Sequence, residues 1–247
     1  MKNFDFIAAH GPHKEALLLE WGIHPEKMLR IGITRSDELI KNRGKVINQD
    51  LVYKITGLKG KKIISYLPTW WGSVVSVEDI GKEIIRKIND DYILIFRPHP
   101  DTPGELIKEY EKLIQHRRNV IYLPENRFRN ISLVDILLMS NMFIVDCSSV
   151  LTDAILTDKP IMFALSGNCH EPIEEIYKPM KEVFEYSIKL TMDKVDGINE
   201  YIKSSLNKKI NLDAWNTVRR RICYGLEGNS TEKLVEFIRD LGLQKNG

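Results

Sequence analysis

From about residue 62 to residue 165, short unbroken apolar runs alternate with longer amphipathic stretches, and this alternation restricts the fold more than any other feature of the chain. KKIISYLP (61–68), YILIFRPHP (92–100), NVIYLP (119–124), NMFIVD (141–146) and KPIMFAL (159–165) predict strands. Their apolar residues run on without alternating, as expected of strands covered by helices on both faces. Between them, VEDIGKEIIRKI (77–88), GELIKEYEKLIQHR (104–117), ISLVDILLMS (131–140) and SSVLTDAILTD (148–158) predict helices. In the first of these Val77, Ile80, Ile84, Ile85 and Ile88 fall at helical spacing. Repeated strand-helix-strand units give a doubly wound parallel sheet, an α/β fold.

The two ends read differently. FDFIAA (4–9) predicts a strand, KEALLLEWGI (14–23) a helix and KMLRIGI (27–33) a second strand, followed by polar TRSDELIKNRGK. Three such elements cannot bury both faces of a sheet, so this head must pack on the main domain, on a partner or on a further N-terminal half. From about residue 172 the pattern is helical to the end, with segments near 172–187, 193–206, 211–223 and 230–241. Ser230 follows Gly228-Asn229 and opens the last helix, but Lys233 stands where a capping box needs glutamate.

The charge balance, +2 from 36 Lys and Arg against 34 Asp and Glu, argues against nucleic acid as the main partner. The densest basic run, Arg219-Arg220-Arg221, predicts a solvated helix face, with contact to an anionic lipid surface or polymer as the alternative. Three cysteines without CxxC spacing suggest neither a disulfide framework nor a zinc site. No apolar run reaches the roughly 18 residues of a spanning helix, so the expected location is cytoplasmic, with peripheral contact at the inner membrane face as an option.

In an open parallel sheet, ligands bind beyond the carboxyl ends of the strands. Three such ends are polar: Leu67-Pro68-Thr69-Trp70-Trp71-Gly72-Ser73, Arg97-Pro98-His99-Pro100 and Asp146-Cys147-Ser148-Ser149. If a helix begins near Ser148, its first amides and the two hydroxyls suit a phosphate; the other reading of either serine is a plain N-cap. Asp146 can likewise cap the strand-to-helix turn. In RPHP two prolines stiffen the turn that carries Arg97, a partner for phosphate oxygens, and His99, an imidazole able to donate a hydrogen bond or a proton. Trp70 and Trp71 suit either a stacked base or the core. Walker A, GxGxxG, GxSxG and HExxH patterns are all absent from the sequence.

Taken in order, LPTWWGS, RPHP, the helix carrying Asp135, FIVDCSSVLTDAILTDKPIMF and YGLEGNSTEKLVEFI resemble the CDP-glycerol glycerophosphotransferases of teichoic acid synthesis, and GITRSD (32–37) resembles the segment joining the two halves of those enzymes. The resemblance implies a GT-B architecture of two Rossmann-like halves. Residues 1–45 would be a remnant of the N-terminal half with a linker, and 46–247 the nucleotide-binding domain with C-terminal helices. It further implies that Thr69, Arg97, His99, Asp146, Ser148 and Ser149 bind the diphosphate donor. Asp153 would reach the ribose or a donor hydroxyl, with His99 and Asp153 as the catalytic pair. The implied reaction is attack of a hydroxyl of a polyol-phosphate or glycan acceptor on the β-phosphorus of a CDP-activated polyol, releasing CMP, with no metal or other cofactor. Two features depart from the family: Cys147 replaces a tyrosine, and its first-half histidine motif, H-G-T-P, has no counterpart, since HGP at 10–12 falls in another segment. The alternatives are a GT-B glycosyltransferase or sugar-nucleotide epimerase, which commonly carry glutamate where Asp153 stands, and a non-catalytic nucleotide-binding module.

Overall fold

In the computed structural model, the described residues are 4–70, 75–124, 131–167 and 172–244. The head forms β1 (Ile7–Ala9), α1 (Pro12–Glu20) and β2 (Met28–Arg30), and the two strands pair in parallel. Short helices α2 (Asp37–Lys41) and α3 (Asp50–Thr56) lead into β3 (Lys62–Leu67). There follow α4 (Ile80–Lys87), β4 (Tyr92–Phe96), α5 (Gly104–Ile114), β5 (Val120–Tyr122), α6 (Leu133–Met139), β6 (Met142–Val145), α7 (Ser149–Ile155) and β7 (Ile161–Ala164). The remainder holds α8 (Ile173–Ile176), α9 (Lys181–Tyr186), β8 (Ile188–Leu190), α10 (Ile198–Asn207), α11 (Leu212–Ile222) and α12 (Ser230–Gln244).

Strands β3 to β8 make a six-stranded parallel sheet in the order β5-β4-β3-β6-β7-β8. The chain winds outward from β3 to β5, returns to lay β6 beside β3, and winds outward again. The β3/β6 seam is therefore the topological switch point, where a crevice opens at the carboxyl ends. Both faces of the sheet are packed. Ile63, Ile93, Ile95, Phe143, Val145 and Phe163 join one core with residues of α6, α7 and α11, while Ile64, Tyr66, Leu94, Phe96, Ile144 and Met162 join another with α4 and α10. Burial on both faces is what the unbroken apolar runs require.

The helix starts follow local chemistry. Asp79 accepts from the Ile80 amide at 2.5 Å. Ser132 and Asp135 form a reciprocal capping box, each side chain accepting from the other's amide, at 3.1 and 2.8 Å. The start of α12 is capped from the head instead: Asp37 accepts from the Ser230 and Thr231 amides at 2.9 and 2.8 Å.

Two sequence expectations are corrected. The stretch after 172 is not helical throughout, because β8 completes the sheet beside β7. The 219–221 run is not a single solvated face. Arg219 is buried, donating to the Ile155 carbonyl at 2.9 and 3.0 Å and pairing with Asp158; Arg221 pairs with Glu182 at 2.7 Å; Arg220 alone of the three is exposed. No helix among the described residues is long and apolar enough to cross a membrane.

Candidate functional site

The turns after β3, β4 and β6 converge on an open cavity of about 400 Å³, lined among others by Thr69, Arg97, His99, Ser148 and Ser149. It lies at the switch point.

Asp146, at the end of β6, holds the turn after β3. Its carboxylate accepts from the Thr69 amide at 2.9 and 3.0 Å, the Ser76 amide at 3.2 Å and the Ser76 hydroxyl at 2.8 Å. Burial pushes this carboxyl up to about 7, against the pull of the Ser76 and Thr69 hydrogen bonds. The side chain is wholly buried and ties Thr69 to Ser76. Trp71 and Ser73 lie outside the described residues.

Arg97 reaches across to donate to the Ile131 carbonyl at 3.1 Å. His99 is 43 % exposed, and its ring stacks on Trp70 with centroids 5.8 Å apart. The Asp101 amide donates to His99 Nδ1 at 3.2 Å, which assigns the proton of the neutral ring to Nε2 and leaves that nitrogen as a donor. Trp70 thus orients the imidazole, whatever else it stacks on.

Ser148 occupies the N-cap position of α7 with extended backbone, yet its side chain makes no capping bond. Its Oγ is buried and has no hydrogen-bond partner among the described residues. Leaving such a group unpaired costs about 1–3 kcal/mol.

The sequence reading missed Arg35. It comes from the head, lines the same cavity, and is 57 % exposed. Its guanidinium donates to Asp153 Oδ2 at 2.9 and 3.3 Å, while Ser36 Oγ donates to Asp153 Oδ1 at 2.6 Å. Asp153 is 1 % exposed, with one oxygen accepting from Arg35 and the other from Ser36. Motif spacing could not reveal a pair 118 residues apart. His10, half-buried at the end of β1, is held below the usual imidazole pKa by its burial and by the charges of Lys14 and Arg35.

The arrangement therefore offers three cationic or proton-donating side chains, a hydroxyl awaiting a partner and a buried carboxylate that fixes a loop. Among the described residues no group of three or more His, Cys, Asp or Glu converges as a metal site would.

The model of the CDP-glycerol:poly(glycerophosphate) glycerophosphotransferase family matches residues 2–240. The chain belongs to this family. It is 23% identical over 232 residues to the teichoic acid glycerol-phosphate primase of Bacillus subtilis, covering 90% of this chain and 53% of the relative. It is 25% identical over 170 residues to the teichoic acid ribitol-phosphate polymerase TarK of Staphylococcus aureus, covering 65% and 32%. The chain thus spans about half the length, or less, of these family members. Among solved structures, the wall teichoic acid polymerase TagF from a crystal soaked with CDPG superposes with a TM-score of 0.67 at 18% identity, over 100% of this chain and 60% of that one. The UDP-GlcNAc 2-epimerase of Methanocaldococcus jannaschii gives 0.55 at 18%, over 94% and 61%. At such identities the likeness speaks for the fold, which is GT-B-like.

Proposed function

We propose that this chain supplies the nucleotide-binding half of a transferase that moves a polyol phosphate of the glycerol-phosphate type from a CDP-activated donor to a hydroxyl of a cell-surface polymer. The observation that carries the reading is the convergence of Arg97, His99, Arg35 and the unpartnered Ser148 hydroxyl on one cavity at the switch point. Family membership supports the donor and acceptor classes of this reading.

In this reading the acceptor oxygen forms a bond to the β-phosphorus as the bond to the bridging oxygen breaks, and CMP leaves with the electron pair. His99 Nε2–H, Arg97 and the Ser148 hydroxyl stabilise the charge that builds on the phosphates. Such transfers are accelerated mainly by positioning and charge stabilisation, which this cavity is suited to give. The acceptor proton needs a base. Asp146 and Asp153 are both buried and bonded, so in this reading the base is another group that faces the cavity. Residues 1–45 would then be the edge of a first half. Phe4, Phe6, Leu19 and Trp21, all exposed on the head, are the apolar surface such a half would cover.

Titration calorimetry with CDP, UDP and ADP tests the assignment: CDP should bind most tightly. Equal binding of all three, or none, overturns it.

A further inference from the structure

A second cavity, of about 110 Å³, lies at the amino ends of the last two strands of the sheet. It is walled by Pro160 and Ile161 at the start of β7, by Ser187 and Ile188 at the start of β8, and by the end of α10 and the first turn of α11. All six strands run in parallel, so these amino ends stand at the opposite end of the sheet from the cavity that holds Ser148.

Part of the wall is apolar. Ile161, Ile188 and Ile210 line it together with the residues Tyr186 and Trp215, whose rings stand edge to face with centroids 5.8 Å apart. The polar side chains are of one kind: Ser187, Ser204, Ser205, Lys208 and Trp215 can all donate a hydrogen bond, and the lining includes no acid. Two of these donors are unspent. Trp215 is 1 % exposed and Ser187 8 %, and neither the indole Nε1 nor the Ser187 Oγ has a hydrogen-bond partner among the described residues. Native proteins leave few buried polar groups in that state, and an indole N–H can be satisfied only by an acceptor. The Tyr186 hydroxyl, by contrast, is committed to the Lys209 carbonyl at 2.5 Å. Lys208 Nζ rests over the Tyr186 ring, 3.7 Å from its centroid, a contact that is weak at an exposed residue and yields readily to an anion.

Size and chemistry together narrow the occupant. A cavity of about 150 Å³ holds benzene, so this one takes about half a dozen heavy atoms, too few for a nucleotide. Phosphate would meet the donors but has no hydrocarbon to cover the isoleucines. We propose that this cavity is a binding site for a small aliphatic carboxylate, whose oxygens accept from Trp215 Nε1, the Ser187 hydroxyl and Lys208 while its hydrocarbon body covers Ile161 and Ile188. The site is independent of the nucleotide reading.

NMR titration of the full chain tests this. Its four tryptophans give four indole N–H signals, and Trp215→Phe identifies the one that matters. Should that variant melt early, cross-relaxation with the Tyr186 ring assigns the signal in the wild type. At constant ionic strength, isobutyrate should shift the Trp215 signal saturably in the millimolar range, and isobutyramide, of the same shape without the charge, should need about tenfold more. Lys208→Met should bring the two ligands within about threefold of each other by weakening isobutyrate. Ser187→Ala should weaken isobutyrate severalfold without lowering the melting temperature, because the hydroxyl it removes has no partner to lose. No saturable shift at tens of millimolar would mean that the cavity holds water only. Equal affinities for acid and amide, or isobutyrate binding unchanged in both variants, would mean an apolar hollow with no anion site. Each of these results overturns the proposal, and none bears on nucleotide binding.

Discussion

Ser148 stands at the N-cap of α7 without capping it, so removing its hydroxyl separates two roles that serine can have. Ser148→Ala should weaken CDP binding by about 1–3 kcal/mol, the scale of a lost hydrogen bond to a charged group, and leave the melting temperature within a degree or so. A marked fall in melting temperature would make it a structural residue. His99 is half exposed, with its ring beside the Asp101 amide and carboxylate and stacked on Trp70, so His99→Ala should cost little stability while lowering transfer in an assay supplied with both halves of the family fold by at least about a hundredfold. Unchanged turnover would remove it from the site. Buried ionisable groups set the pH dependence. Lys159 Nζ donates to the Leu137 and Leu138 carbonyls at 2.7 and 2.8 Å, and burial lowers its pKa from 10.5 to about 7. Between those values the unfolded chain holds a proton that the folded chain has released, so stability rises with pH. Asp146 acts in the opposite sense: raised from 3.8 to about 7, it is protonated in the folded chain over that window and ionised in the unfolded one, so stability falls as pH rises to neutrality. Denaturant midpoints from about pH 5 to about pH 9 should pass through a minimum near neutrality, and Lys159→Met should flatten the alkaline limb. A wild-type maximum at neutrality contradicts this. The sequence exposed His99, Arg97 and the serines because they stand at strand ends; it did not show that Asp146 and Asp153 are buried, because a carboxylate's burial depends on what packs over it.

Among the elements, β3 to β7 were legible because a strand buried on both faces must be apolar throughout. The edge strand β8 was not. Its three residues, Ile188-Lys189-Leu190, are only partly buried apart from Leu190, and Lys189 interrupts any apolar run. Helix α12 was legible in its extent but not in its start, since the acid missing at Lys233 is supplied from Asp37, in the distant head. Burial works to raise the Asp37 pKa, but the hydrogen bonds from Thr231 and Ser230 outweigh it and hold the carboxyl below its usual value, so the stability it contributes is lost as pH falls through the acid range. Asp37→Ala should cost about 1 kcal/mol, typical of a lost cap, and speed amide exchange in the first turn of α12 more than elsewhere. Uniform exchange across the molecule would mean that the helix start does not depend on this residue.

For the whole molecule, the fold class follows from the strand-helix alternation, whereas the attachment of the head does not, because it is made by separate contacts of His10, Gly11, Glu15, Gly32, Arg35, Ser36 and Asp37 with residues far along the chain. Gly32→Ala combines a strained positive φ with a backbone clash and should cost at least about 2 kcal/mol. Calorimetry should then resolve a low-temperature transition of the head ahead of the sheet; a single unshifted transition would refute that. The β3/β6 seam has a kinetic meaning as well. Strand β3 can pair with β4 as soon as both exist, but its other edge stays open until Met142–Val145 arrives from far along the chain, and contacts between such distant segments form late. Pulse-labelled amide exchange should therefore find the amides bonded across β3/β4 protected before those bonded across β3/β6. Since the turns that bound the cavity come from both sides of this seam, a nucleotide has nothing to hold until folding is almost finished: it can slow the protein's unfolding, but it cannot hasten its folding.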